Sequence, residues 1–247
     1  MRLGRRLGRK AIKTDTRTPR MARYTAGLPA PPPSRDWTRG VTAWGMLDND
    51  TLGDCTIAGC AHLVDLWTLN TTGTMATITD ADALAYYEKW CGYNPTNPAT
   101  DQGGVELDVL TDWRKSGFAG HKILGFASIH PGDLTTARQA INLFGAVYLG
   151  INMPLSAQYQ KAWEVVPDDG TGDTEPGSWG GHCVIAPRYD ANFGVITWGQ
   201  NMPMTENFWK KYVDEVWVVL GADWVNAMDS PSGFDMAQLQ ADLNEIT

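Results

Sequence analysis

The chain has 247 residues, of which 43% are hydrophobic and 19% are charged, and it contains 11 Trp. This length and apolar content allow one large domain or two small ones, and they exclude a wholly disordered chain. No apolar run reaches the ~18–20 residues of a membrane-spanning helix, and the basic N-terminus lacks the apolar segment of a secretory signal. We therefore expect neither a membrane span nor a signal peptide.

The charge is distributed unevenly along the chain. Residues 1–40 contain 11 Lys and Arg but only Asp15 and Asp36 as acids, a net charge of +9, so the remaining residues carry −17. The acidic body argues against nucleic acid as its partner. The basic segment could bind nucleic acid, an acidic protein surface, or the acidic body of a second copy.

Residues 1–36 are predicted to form an extended, Pro-rich arm. The segment RLGRRLGRK lacks apolar residues at helical spacing, and four prolines further on require extended backbone. A solvated tail and an arm bound to a partner chain both fit this pattern. An inhibitory pro-segment is not expected, because the arm is short for that role.

The body is predicted to begin near Trp37, and its first half is predicted to be helical. The run Cys55–Asn70 has apolar residues at nearly helical spacing, with Asp54 in the position of an N-cap. Polar capping residues before a segment and glycine after it indicate further helices. Those helices are predicted at Asp80–Cys91, Leu107–Ser116 and Thr135–Phe144.

The second half is predicted to consist mainly of β-strands. Short apolar runs separated by turn residues indicate strands at Ala146–Ile151, Cys183–Tyr189, Phe193–Trp198 and Tyr212–Leu220. The turn 190–192 would join two of them as a hairpin. Helices followed by antiparallel strands predict an α+β domain over residues 37–225. Residues 226–247 would form a tail with a short helix, Met236–Ile246.

Cys55 is the candidate nucleophile. It opens the first helix, where amide N–H groups and the helix dipole favour a thiolate and can stabilise an oxyanion. The alternative is a small buried residue at a helix start. The four cysteines have neither disulfide nor metal-ligand spacing, so free thiols, no metal and no cofactor are expected.

His182 is the candidate base. It follows Gly180-Gly181 at the start of a predicted apolar strand, where an imidazole can be both oriented and accessible. The alternative is a structural histidine in the core or at its rim. His62 is interpreted as structural because it lies inside the first helix, whereas His121 and His130 lie in connecting segments.

The order of these features resembles the papain-like cysteine peptidase superfamily over roughly residues 37–220. Asn49 stands six residues before Cys55, where that family has a Gln that donates to the oxyanion. Gly103-Gly104 resembles the strip that lines the substrate cleft. Gly181-His182-Cys183-Val184 and Thr197-Trp198-Gly199 resemble the family's Gly-His-Ala-Val and Asn-Ser-Trp-Gly segments. The resemblance implies a papain-like α+β fold with a helical N-terminal half and an antiparallel β C-terminal half.

The sequence departs from the family pattern around the histidine. The family's Asn that orients this histidine aligns here with Ile196 or Thr197. Thr197 could accept a hydrogen bond from the imidazole through its hydroxyl, and Gln200 or Asn201 could replace it if the turn is shifted. Asn49 is also one methylene shorter than the family's Gln.

The resemblance implies a hydrolase that cleaves peptide or amide bonds through a thioester. Cys55 would attack the carbonyl, His182 would move the proton, Thr197 would orient His182, and Asn49 would stabilise the oxyanion. Four further residues would line the site for a peptide or protein substrate, and one of them, Trp198, would shield the Cys–His pair from water. They are Gly103, Gly104, Trp179 and Trp198.

A second interpretation is a structural protein on the same scaffold. The NDTLGDC segment and the TWG element also resemble proteins of bacteriophage and actinobacterial genomes. The chain would then be a capsid or tail component with weak or lost activity. Its basic arm, residues 1–36, would bind a protein partner, a second copy or nucleic acid. The expected location is the cytoplasm or a virus particle.

Overall fold

Seven α-helices lie in the part of the chain that the structure, a computed structural model, describes: residues 5–25, 27–228 and 234–244. They are α1 (Cys55–Thr72), α2 (Asp80–Cys91), α3 (Glu106–Ser116), α4 (Leu134–Phe144), α5 (Glu206–Tyr212), α6 (Ala222–Met228) and α7 (Met236–Asn244). No described helix is long and apolar enough to cross a bilayer.

The strands form one antiparallel sheet, and all of them except β1 come from about the second half of the chain. They are β1 (Arg35–Asp36), β2 (Ile123–Ser128), β3 (Val147–Met153), β4 (Gly180–Tyr189), β5 (Phe193–Thr197), β6 (Gln200–Met204) and β7 (Val213–Gly221). The spatial order is β2-β7-β3-β4-β5-β6, and β1 pairs with the far end of β4. The predicted α+β class, with helices first and antiparallel strands later, is confirmed.

Helix α1 is the central element of the core. Every residue from Cys55 to Thr68 is buried, and the helix packs along β4. A Cβ on Gly59 would lie 2.7 Å from a ring carbon of Tyr148, so glycine permits the close approach of α1 to the sheet. This packing holds the first residue of α1, Cys55, against the start of β4.

Asp54 precedes α1 but does not cap it. Its side chain makes no capping hydrogen bond, and its carboxyl oxygens have no hydrogen-bond partner among the described residues. Burial raises the pKa of this carboxyl to about 8. Asp54 therefore occupies the predicted N-cap position without its side chain capping the helix, whereas Thr79 and Asp82 form a complete capping box on α2.

The arm is extended, as predicted, and it lies on the body of its own chain. Two stretches of it are held by the body, with the mostly exposed residues 10–17 between them. Residues 5–9 enter the cleft described below. Around Pro19, the arm accepts a hydrogen bond from Ser128 N on β2 (2.8 Å), and Met21 and Tyr24 are buried. The assignment of residues 1–36 as a separate unit stays a prediction.

Candidate active site

Cys55 lies at the junction of α1 and the sheet. Its side chain is buried, and Cys183 N on β4 donates a hydrogen bond to Cys55 Sγ (3.4 Å). Cys183 follows His182 directly, so the start of β4 carries both the contact to the thiol and the candidate base. The structure thus brings together two sequence segments that are more than 120 residues apart.

His182 is held by the residues at the end of β5. Its Nε2 lies 2.7 Å from Thr197 Oγ1, and its ring stacks on Trp198 with 4.4 Å between ring centroids and 13° between planes. Nδ1 has no hydrogen-bond partner among the described residues. Of the three residues considered from sequence for orienting His182, Thr197 contacts the ring, whereas Gln200 and Asn201 are exposed on β6.

The turn between β5 and β6 explains how Trp198 reaches His182. Thr197 pairs with Gln200, and the two residues between them, Trp198 and Gly199, have φ values of +46° and +67°. Two left-handed residues are typical of a type I′ hairpin turn, which matches the twist of the strands. The left-handed conformation is costly for Trp. Here it holds the indole over the imidazole, next to Trp179 (5.7 Å between centroids).

The N-terminal arm fills the groove that contains Cys55 and His182. Gly104 N donates to Gly8 O (2.8 Å), Lys10 N donates to Gly104 O (2.8 Å), and Arg9 N donates to Gly181 O (3.0 Å). The arm therefore pairs with Gly104 as a short parallel strand. The glycine strip indicated by sequence binds an extended peptide, and that peptide is the chain's own arm.

Only glycine fits at the centre of this contact. A Cβ on Gly8 would lie 1.7 Å from Gly53 O, and a Cβ on Gly103 would lie 1.8 Å from Gly8 O. Gly103 also has a φ of +76°, a conformation that glycine adopts without strain. The groove is therefore narrow at Gly8, which passes between Gly53 and Gly103.

The arm also contacts the segments on either side of the groove. Arg6 N donates to Asn49 O (3.1 Å), and Trp198 Nε1 donates to Arg6 O (3.1 Å). The side-chain amide of Asn49 donates to Leu52 O (3.1 Å). The role of Asn49 at an oxyanion stays a prediction, and it would use a donor that currently serves the turn before Cys55.

The arrangement of helices and sheet is shared with several solved cysteine proteases. Xylellain from Xylella fastidiosa is 16% identical with a TM-score of 0.55, covering 89% of this chain and 97% of its own. A procathepsin B from Trypanosoma congolense is 12% identical with a TM-score of 0.63, covering 88% and 87%. Bromelain from Ananas comosus, solved with the inhibitor E64, is 13% identical with a TM-score of 0.55, covering 76% and 99%.

The chain has a papain-like fold. No protein-family model matches it, and no curated protein matches it in sequence. At 11–16% identity the structural likeness shows the fold and leaves the activity to be argued from the site.

Cys55 and His182 are buried in this cleft with the arm in place, and burial sets their protonation states. Burial raises the pKa of Cys55 to about 12, although the backbone amides of Cys183 and Gly8 face the thiol and oppose the shift. Burial also lowers the pKa of His182 to about 3, and the cations of Arg9 and Arg5 lower it further. At neutral pH the closed site therefore holds a thiol and a neutral imidazole.

Sequence reasoning missed the arm residues Gly8 and Arg9 as parts of the site. It also missed the acidic side chains that surround Arg9, which are described below. The sequence does contain one signal, because RLGR occurs twice in succession within residues 2–9. A basic motif that is repeated together with its glycine indicates a segment that binds a specific site. Net charge alone does not give that indication.

Proposed function

We propose that the chain is a cysteine peptidase or amidase whose N-terminal arm keeps the cleft closed. The observation that carries this proposal is the peptide segment Leu7–Arg9, which crosses Cys55 and is paired by backbone hydrogen bonds with Gly104 and Gly181. A cleft that binds extended backbone over a cysteine at a helix start has the parts that acyl transfer requires.

In the open enzyme, Cys55 Sγ attacks the carbonyl carbon of a peptide or amide after its proton passes to His182 Nδ1. The new S–C bond forms as the carbonyl π-bond opens to an oxyanion, which the Cys55 N–H at the start of α1 and Asn49 would stabilise. Collapse breaks the C–N bond, and His182 returns the proton to the leaving amine. Water, deprotonated by His182, then hydrolyses the thioester and releases the acid.

Thr197 sets the tautomer of the base. Where His182 Nε2–H donates to Thr197 Oγ1 (2.7 Å), the lone pair of the neutral ring is on Nδ1. Nδ1 is the nitrogen without a partner among the described residues, so it is available to take the thiol proton. Trp198 covers the ring face, which supports its predicted role in excluding water.

The arm fits an inhibitor better than a substrate, contrary to the expectation from its length, because only residues 5–10 are needed to occupy the cleft. Gly8 turns its amide N–H toward the thiol, while its carbonyl is engaged by Gly104 N. Attack requires the carbonyl carbon to face the sulfur, with its oxygen at the oxyanion donors. The arm therefore covers the nucleophile without presenting a bond for cleavage.

The test is the rate of iodoacetamide modification of each cysteine between pH 5 and 9. We compare the wild-type chain with Gly8→Leu, whose side chain cannot fit beside Gly53 O and should displace the arm. We expect Cys55 to react slowly in the wild type and rapidly near pH 6 in Gly8→Leu. The fast reaction should be lost in Gly8→Leu/His182→Ala, because the thiolate then lacks its imidazolium partner.

A Cys55 that reacts no faster than a free thiol in Gly8→Leu would refute the catalytic proposal. Mass spectrometry assigns the reaction to Cys55, and glutathione in a parallel reaction gives the rate of a free thiol. Hydrolysis of a peptide library by Gly8→Leu, absent in Gly8→Leu/Cys55→Ala, completes the test.

The second proposal is a structural component, phage-derived or otherwise, that uses the arm to attach to another chain or to nucleic acid. A cleft occupied by the arm is compatible with it, since a scaffold does not need a free cleft. This proposal requires that the arm leave its own body, and it gains support only if Gly8→Leu gives an unreactive Cys55 together with a new assembly.

A further inference from the structure

An acidic pocket opens from the cleft beside the candidate pair and holds the side chain of Arg9. Its walls are Glu106 at the start of α3, Asn152 on β3, and Asp214 and Glu215 on β7. Gly150 of β3 provides the space, because a Cβ there would lie 2.9 Å from both an Arg9 nitrogen and a Glu106 oxygen. The Arg9 side chain is 2% exposed.

The contacts of Arg9 match the geometry of a guanidinium group. Nη1 donates to Glu215 Oε2 (3.1 Å). Nη2 donates to Asp214 Oδ1 and Oδ2 (2.8 and 2.9 Å) and to Asn152 Oδ1 (3.2 Å). The planar, forked donors of arginine reach acceptors on two strands at once, whereas the single ammonium of lysine cannot occupy both positions.

The negative charge that faces Arg9 comes from Asp214 and Glu215. Glu106 is buried, and its carboxyl oxygens have no hydrogen-bond partner among the described residues. Asp214 and Glu215 pair only with Arg9 among the described cations. Burial raises the pKa of Glu106 well above its ordinary value, so Glu106 contributes a neutral polar group to the pocket. Asp214 and Glu215 without a counter-charge would be costly, so the empty pocket favours a cationic ligand over an apolar one.

We propose that this pocket, formed by Glu106, Asn152, Asp214 and Glu215, is a specificity site for an arginine side chain of a peptide bound in the cleft. Arg9 occupies it in the closed state. The ligand class is a peptide with arginine in the pocket and glycine beside it, at the narrow point over Cys55. Such peptides are substrates only if the proposed function holds, whereas the preference of the pocket for arginine does not depend on it.

The test measures peptide binding to full-length Gly8→Leu/Cys55→Ala, in which the arm is displaced and turnover is impossible. The probe is a fluorescent peptide with the sequence of residues 5–10, RRLGRK. Citrulline at the Arg9 position keeps the shape but removes the charge, and it should weaken binding by about tenfold or more. Lysine there should bind with intermediate affinity.

Citrulline at the Arg6 position is the matched control, because it removes the same charge from an exposed side chain. It should bind within about twofold of the parent peptide if the pocket, and not general attraction to the acidic body, decides affinity. Asp214→Asn in the protein should reduce the preference for arginine over citrulline. Asp214 suits this change because its side chain is 26% exposed.

Equal affinities for the two citrulline peptides, or no binding of the parent peptide, would overturn the proposal. If Gly8→Leu does not fold, Arg9→Ala and Arg6→Ala are compared in the wild-type chain. Only Arg9→Ala should speed Cys55 alkylation, and equal rates would overturn the proposal. Peptide binding together with an unreactive Cys55 would refute the proposed catalysis but not the pocket. Hydrolysis without a preference for arginine would refute the pocket's specificity but not the catalysis.

Discussion

His182 is oriented by one hydroxyl and one indole ring. The Thr197 hydroxyl fixes one ring nitrogen at 2.7 Å, and Trp198 covers the ring face. A hydroxyl can both donate and accept, so it fixes the tautomer less strictly than an acceptor-only oxygen does. The catalytic competence of this site therefore depends on how well Thr197 holds the ring when the arm leaves.

Thr197→Val in the Gly8→Leu background should slow Cys55 alkylation at pH 6 by roughly tenfold, because the ring is no longer held in one tautomer. The pH profile should move toward that of a free thiol, which a loss of packing alone would not cause. Thr197→Ser should restore both rate and profile. If the valine variant keeps the profile of its parent, Thr197 does not orient the base.

Asp65, inside α1, gives the fold a pH-dependent stability. Burial raises its pKa to about 7 from an ordinary 3.8. Between these two pKa values the unfolded chain loses the proton that the folded chain keeps. The contribution of Asp65 to the free energy of unfolding therefore falls as pH rises through that window. Asp65→Asn should remove this dependence, while the other buried acids are common to both proteins.

The free energy of unfolding of Asp65→Asn minus that of the wild type should therefore increase from pH 5 to pH 8 by about 1–3 kcal/mol. Urea denaturation at the two pH values measures it. A difference that is the same at both values would mean that Asp65 is charged in the folded protein throughout.

At the scale of elements, a tyrosine of α2 takes part in a hydrogen-bond network that links Gly53 and Gly103, the glycines on the two sides of the groove. Tyr87 OH donates to Asp101 Oδ1 (2.6 Å) and accepts from Gly103 N (2.8 Å). The same Asp101 oxygen accepts from Gly53 N (3.0 Å). Gly53 and Gly103 are the residues that enclose Gly8, so this network sets the width of the groove.

Tyr87→Phe should lower the free energy of unfolding by about 1–3 kcal/mol, because it leaves the Gly103 N–H without a partner and removes one of the two hydrogen bonds that Asp101 Oδ1 accepts. Amide exchange at Gly53 and Gly103 should also become faster. The control is Tyr93→Phe, whose ring stacks on Tyr87 and whose hydroxyl has no hydrogen-bond partner in the described residues. Equal exchange rates in the two variants would contradict the assignment of this role to the Tyr87 hydroxyl.

The sequence predicts the long periodic elements well and the short ones poorly. Helix α2 has its predicted bounds, and α1 and α4 differ by one or two residues. Strand β6 was missed because Pro203 lies in it and only two of its residues are buried. Helices α5 and α6 were missed because seven residues are too few to establish a period.

The acidic pocket was beyond sequence reasoning for a different reason. Arg9 and Glu215 are separated by 206 positions, and nothing local to either residue predicts the other. Cys55 and His182 are also distant, but each is marked by its own surroundings, a helix start and a glycine-led strand. Sequence patterns identify residues with a local signature, whereas charge pairing across the fold requires the three-dimensional structure.

At the scale of the whole molecule, the arm is an intramolecular ligand with an exposed connection. The cleft-bound stretch ends near Lys10, and the next backbone contact of the arm is that of Pro19 with Ser128 on β2; between them the arm makes an exposed ion pair from Lys13 to Asp108. Between them, the side chains of Lys13 and Arg17 are each 58% exposed. A covalently attached ligand acts at a high effective concentration, so closure of the intact chain does not depend on protein concentration.

Limited trypsin digestion should cut the native chain after Lys13 or Arg17 and spare Arg9, whose side chain is buried. The cut converts the cleft-bound segment into a separate peptide that leaves on dilution, because its effective concentration is lost. Cys55 alkylation should then become faster as the nicked protein is diluted, and remain independent of dilution in the intact chain. Lys13→Gln/Arg17→Gln should resist the cut and stay closed. A nicked chain that stays unreactive at every dilution would show that the rest of the fold, and not the arm, covers Cys55.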